Sequence, residues 1–217
     1  MYFKKLILPV GAAFILAACG QQANGQSDTA VADAAAEKDF GAISGAYKSE
    51  EMHRYITFSY SHFGYSTPQI RWREWNATLQ WNAEDPAASS VSVTIDATSA
   101  DSGVDVFDGH LTGENFFDTE NYDEITFIST EIERTGADTG LITGDLTIKG
   151  VTKSVTLDAK FNNGAFEERN NRYKIGFSAS TSVSRSDFGL DAYVPAVSDQ
   201  VDIAISAEFI MPVDAAE

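Results

Sequence analysis

The chain has 217 residues, with 15 Lys and Arg against 32 Asp and Glu, a formal charge of −17, and 43% hydrophobic and 12% aromatic residues. That length and apolar content suit one β-barrel or sandwich domain with a sizeable core, or at most two small domains. The acidity excludes nucleic acid as a partner, because nothing here would displace counterions from phosphates. One cysteine leaves no intrachain disulfide and no cysteine-based metal cluster, and three histidines leave little material for a metal enzyme.

The first predicted element is an address. Lys4 and Lys5 precede a short apolar run from Leu6 to Leu16, too short to span a bilayer permanently, which predicts a signal peptide over residues 1–18. Leu16-Ala17-Ala18-Cys19-Gly20 resembles the lipobox of bacterial lipoproteins, in which small residues let the peptidase approach the backbone and the thiol accepts diacylglycerol. The resemblance implies cleavage before Cys19, lipidation of Cys19 and a periplasm-facing protein anchored to a membrane of the bacterial cell envelope. An ordinary secretory signal with cleavage nearby is the alternative. Residues 19–40 are Gln, Ala, Asn, Ser and Asp with few large apolar groups, which predicts a flexible tether.

From there residues 41–212 read as one domain of strands with period-two alternation. Ile56, Phe58, Tyr60 and His62 share one face of the first strand, and Trp75, Ala77, Leu79 and Trp81 one face of the next. Val91, Val93 and Ile95 mark a third, and Ile125 to Ile128, including Phe127, a fourth. Residues 100–119 lack the alternation and predict a short helix and loop, with Asp101 or Ser102 as its N-cap. Ile142, Leu146 and Ile148 lead into Lys149-Gly150, which reads as a tight hairpin, and Val155 to Phe161 return toward a turn at Asn162-Asn163-Gly164. Two long strands follow, one carrying Ile175, Phe177 and Ala179, the other Val201 to Phe209. The reading is an all-β fold, an eight-stranded antiparallel barrel with one short helix between strands, because closure removes both sheet edges. Such a barrel is just wide enough for side chains or one slender ligand.

Five segments in order carry a family resemblance. They are Gly45-Ala46-Tyr47 with His53 to Phe58 and His62-Phe63-Gly64; Phe107 to Leu111 with Phe116-Phe117-Asp118; Ile125 to Thr130; Gly144 to Lys153; and Arg185 to Leu190. Together they resemble the YceI-like polyisoprenoid-binding family over residues 45–210. The resemblance implies a lipocalin-like barrel whose interior holds an isoprenoid lipid, a polyprenyl lipid or a quinone, and the expected function is binding without catalysis and without a further cofactor. The residues expected at the barrel interior and mouth are Ile56, Phe58, Tyr60, His62, Phe107, Phe116, Phe117, Phe127, Phe177, Arg185 and Phe188. Two stretches depart from the family pattern: Ser66 to Trp75, and Val106-Phe107 where an Arg-Asp pair is commoner.

The residues themselves leave alternatives open. Inward apolar stripes also suit a barrel filled by its own side chains, working as an envelope stress or protein-interaction module. Arg185 reads either as a ligand for a polar head group or as part of a loop-fixing ion pair, and Arg71 and Arg73 as either an anion site or a solvated face. Phe107, Phe116 and Phe117 read as a lid or as a plug. The histidines suggest no metal centre, no nucleophile motif is present, and pairing of two barrels into a homodimer stays open.

Overall fold

The structure, a computed structural model, describes residues 39–213. Ten strands build it: β1 (Gly45–Ser59), β2 (Gln69–Trp72), β3 (Trp75–Trp81), β4 (Ser90–Asp96), β5 (Ala100–Asp101), β6 (Glu124–Arg134), β7 (Thr139–Ile148), β8 (Val151–Glu167), β9 (Arg172–Ser184) and β10 (Gln200–Pro212), with one helix, α1 (Asp105–Leu111), between β5 and β6. Two of the expected eight staves are broken. β2 and β3 both pair with β1, at Ile56–Ser59 and Gly45–Lys48, and are halves of one stave interrupted at Arg73-Glu74. β4 and β5 are halves of the next, interrupted by the turn at Ala97–Ser99. The order β10-β9-β8-β7-β6-β4-β3-β1 closes because β10 pairs back onto β1, all antiparallel. The eight-stranded antiparallel barrel with one short helix is therefore what the chain forms, and no long stave carries an open edge.

Alternation decides which side chains enter the barrel. In β3 every second residue, from Trp75 to Trp81, is buried and those between are exposed. At the Lys149-Gly150 hairpin both residues have positive φ, 49° and 74°, the backbone a two-residue turn between twisted strands requires. The second expected turn lies elsewhere. β8 runs straight through Asn162-Asn163-Gly164 to Glu167, and the chain reverses at Glu168–Asn170 and Asn171. The Asn-Asn-Gly signal marks a bulge, with a register shift between Phe161 and Asn163. Gly164 is needed there for a close approach, since a Cβ would lie 2.1 Å from the Phe40 carbonyl oxygen.

The helix N-cap also differs from expectation. Val104 holds that position without a side-chain bond. Asp108 reaches back instead, accepting from the Ser102 amide at 2.7 Å and its hydroxyl at 2.5 Å, so the helix anchors the preceding loop. At the other end of the barrel Phe40, assigned to the tether by composition, is only 6% exposed. Its ring sits 4.8 Å from Phe161 and 5.2 Å from Trp81. The barrel therefore begins before residue 41, while Cys19 and the rest of the predicted signal and tether, residues 1–38, lie outside the described residues.

Candidate binding chambers

The closed sheet encloses two adjoining spaces. The deep chamber, of about 200 Å³, is walled by inward residues of all eight staves, among them Ile56, Phe127 and Phe177. The mouth chamber, of about 510 Å³, lies under α1 and the loops that follow β1 and β9. Trp72, Ile148 and Ile203 line both, so the two adjoin there. An aromatic cluster narrows the junction: the Phe58 ring lies 4.5 Å from Trp72 and 6.1 Å from Phe117, and Trp72 lies 5.7 Å from Phe117.

The sequence-selected residues divide between these spaces. Ile56, Phe127 and Phe177 line the deep chamber. Phe58, Tyr60, His62, Phe107, Phe116, Phe117, Arg185 and Phe188 line the mouth chamber. Phe117 and Phe188 are buried, while Phe107 and Phe116 remain half-buried, so the helix segment supplies both a plug and a rim.

Backbone bonds join the mouth loops. The Phe63 amide donates to the Ala196 carbonyl at 3.0 Å, and the Ser198 amide to that of Ser61 at 2.9 Å. Arg185 holds the second loop. Its Nε donates to the Ser198 carbonyl and its Nη atoms to those of Leu190, Ala192 and Val197, at 2.5–3.1 Å. Neither sequence alternative had this form: the guanidinium staples backbone and, among the described residues, makes no direct carboxylate bond. Burial lowers the Arg185 pKa, with Asp199, Tyr60 and Asp191 opposing, and burial raises Tyr60. Asp199 in turn accepts from the Ser186 amide and hydroxyl at 2.8 and 2.9 Å, and that amide chiefly holds its carboxyl below the usual range.

With this geometry, comparison with known proteins is direct. The YceI-like domain matches residues 47–209. Protein YceI of Escherichia coli is 36% identical over 169 residues, covering 77% of this chain and 87% of that protein. The chain belongs to the YceI-like family. Burkholderia cenocepacia BcnA shares the fold at TM-score 0.68 and 21% identity, covering 74% of this chain and 98% of that one. A polyisoprenoid binding domain from Saccharophagus degradans, implicated in plant cell wall breakdown, does so at TM-score 0.58 and 15% identity, covering 78% and 99%.

In this YceI-like barrel other polar candidates have structural partners. Arg71 and Arg73 lie 3.0 and 3.5 Å from Asp101, whose carboxyl is lowered first by the Gly103 amide and then by Arg71. His53 stands apart from His62 and His110, 2.9 Å from Glu50 and 3.7 Å from Glu208, with Lys174 already 2.7 Å from Glu208. These residues cluster as metal ligands do, but Lys174 supplies the positive charge. Missing from the sequence selection were Trp72, Trp75, Trp81 and Phe161, which also wall the deep chamber. Inward alternation on β3 was the signal for two of them.

Proposed function

We propose that this chain binds an isoprenoid lipid, a polyprenyl lipid or a quinone, without catalysis, and sequesters or carries it in the bacterial cell envelope. The observation that carries the reading is the apolar interior, with chambers of about 200 and 510 Å³ adjoining at Trp72, Ile148 and Ile203. Val155, Leu157, Ile203 and Ile205 point inward yet are only half-buried, as walls around a space are and as mutually packed core residues are not. The Saccharophagus relative, described as polyisoprenoid binding, supports the same ligand class. Such walls keep a prenyl chain out of water at about 25 cal/mol per Å² of buried apolar surface, as the bilayer interior also does, so exchange between membrane and barrel is a partition between two apolar phases. The lipobox-like sequence at Cys19 supports a tethered position beside the membrane in which such a lipid dissolves.

The test is native mass spectrometry of the full-length exported protein, followed by solvent extraction. The expected result is one co-purifying lipid per chain, released by solvent and identified as a prenyl lipid or quinone. A lipid-free protein that also takes up neither added polyprenol nor added quinone would overturn the proposal and favour a side-chain-filled interaction module.

A further inference from the structure

The loops from Tyr60 to Pro68 and from Ala192 to Ser198 contain no Asp, Glu, Lys or Arg, in a chain where those residues make up 22%. They follow β1 and β9 at the mouth end and are joined edge to edge. The Ser61 amide donates to the Ser198 hydroxyl at 2.9 Å, and the Ser198 amide donates back to the Ser61 carbonyl at 2.9 Å. His62 pairs with Val197 in an isolated antiparallel bridge. Two loops remote in sequence therefore form one uncharged lip. Arg185, beside it, is committed to the Ala192, Val197 and Ser198 carbonyls.

Three aromatic side chains stand out of this lip: Phe63 is 49% exposed, Tyr193 65% and Tyr65 91%. Singly exposed apolar residues need no explanation, but three on one uncharged patch of a chain of charge −17 do. Folding does not account for them. Phe63 and Tyr193 hold φ of 52° and 67°, a backbone region that Gly or Asn occupies at less cost. Rings that gain little burial are thus held outward against backbone preference. The opposite lip differs. There α1 and the loop after it carry Asp105, Asp108, Glu114, Asp118, Glu120 and Asp123, so the exposed Val104 and Val106 stand among acids.

Tyrosine and phenylalanine without charges between them suit a bilayer interface, where amphipathic rings sit at headgroup depth. The lip also borders the space a lipid must enter: Phe63 and Tyr193 line the mouth chamber, and Phe116 lies 6.5 Å from Tyr193. A prenyl chain crossing open water would expose every methylene, and a lip seated in the interface removes that barrier. A protein partner drawn by charge would be met elsewhere on this acidic surface. The charge of −17 repels an anionic membrane, which leaves a zwitterionic one.

We propose that Tyr60 to Pro68 and Ala192 to Ser198 form a docking face for a zwitterionic lipid surface, seating Phe63, Tyr65 and Tyr193 at headgroup depth so that the mouth chamber opens onto the bilayer. The acidic lip stays in water, so the barrel docks tilted. The use of this face rests on the reading that the barrel carries a lipid, but the contact itself is measured separately.

The test uses full-length variants with a fluorophore on one added cysteine: Tyr65→Cys or Tyr193→Cys on the lip, Ile128→Cys on the barrel side, or Phe166→Cys at the opposite end. The unsubstituted chain, treated identically, gives any signal from Cys19. On phosphatidylcholine vesicles with a spin-labelled acyl chain, both lip positions should be quenched and the other two should not. Adding anionic phosphatidylglycerol should weaken the quenching, and salt should restore it. Tyr65→Asp, at a side chain too exposed to pack, should slow transfer of an isoprenoid quinone from vesicle to barrel about five-fold and leave the amount held at equilibrium unchanged. An unquenched lip, or equal quenching at all four positions, would overturn the docking face, and continued quinone uptake would then leave lipid carriage standing. A quenched lip on a barrel that takes up no quinone would support the docking face and overturn lipid carriage.

Discussion

The deep chamber and the mouth chamber adjoin but are built by different means. Alternate residues of continuous strands wall the deep chamber, so its shape follows from register, and a one-residue slip would turn every wall residue outward. The mouth is made by loops, held by cross-loop backbone bonds and by Arg185 on four carbonyls. It also holds aromatic residues in a costly conformation. Phe63 and Tyr193 line it at φ 52° and 67°, 49% and 65% exposed, where Cβ crowds the neighbouring carbonyl and only Gly, or Asn through local hydrogen bonds, is at ease. Stability thus resides in the strands, while access and the larger of the two volumes belong to the loops.

The contrast can be broken most easily with paired truncations. Phe161→Ala removes a buried ring packed on Phe40, Trp81 and Phe177 and should cost about 3–5 kcal/mol in denaturant unfolding. Phe116→Ala at the half-buried rim should cost less than about 1.5 kcal/mol and alter lipid exchange instead. Equal losses would abolish the distinction. Arg185→Ala should cost about 2–3 kcal/mol and expose the 185–199 loop to protease, because it leaves four carbonyls without their donor. Deep-chamber lipid capacity should survive it under conditions where the barrel stays folded.

Acid sharpens the comparison further. Burial raises Glu50, but the His53 side chain and the Met52 and His53 amides outweigh it and leave the carboxyl below its ordinary 4.5. Asp199 lies below 3.8, chiefly through the Ser186 amide. A folded-state pKa below the unfolded one stabilises the fold above the unfolded value, and that stability is lost as pH falls through the folded value. Unfolding midpoints should therefore fall below about pH 4.5, and Glu50→Gln and Asp199→Asn should each flatten the decline. The smallest effect concerns the strained rim. Phe63→Asn and Tyr193→Asn should each stabilise the apoprotein by about 0.5–1 kcal/mol while slowing lipid uptake in a stopped-flow assay. A loss of stability would show that these rings pack for the fold.

How much was legible in the sequence follows the same division. Period-two alternation put Ile56 and Phe177 on the apolar faces that line the deep chamber, because strand geometry is local, whereas the run Ile125 to Ile128 is apolar on both faces and left the side of Phe127 open. It missed the break between Trp72 and Trp75, where two staves lose pairing, and it mistook the bulge at Asn162-Asn163-Gly164 for a turn, since both use residues tolerant of unusual backbone. Phe40 looked like tether because its partners Trp81 and Phe161 lie far away in sequence. The role of Arg185 was hidden because backbone carbonyls leave no sequence signature.

The central claim is that a lipid occupies the barrel interior, and tryptophan fluorescence tests it most directly because all three tryptophans line the deep chamber. The full chain would be titrated with an isoprenoid lipid brominated along its length, since bromine quenches indole emission on contact. The account predicts quenching that saturates at one lipid per chain and is reversed by unlabelled lipid. Emission that stays constant, or that falls without saturation, would contradict it.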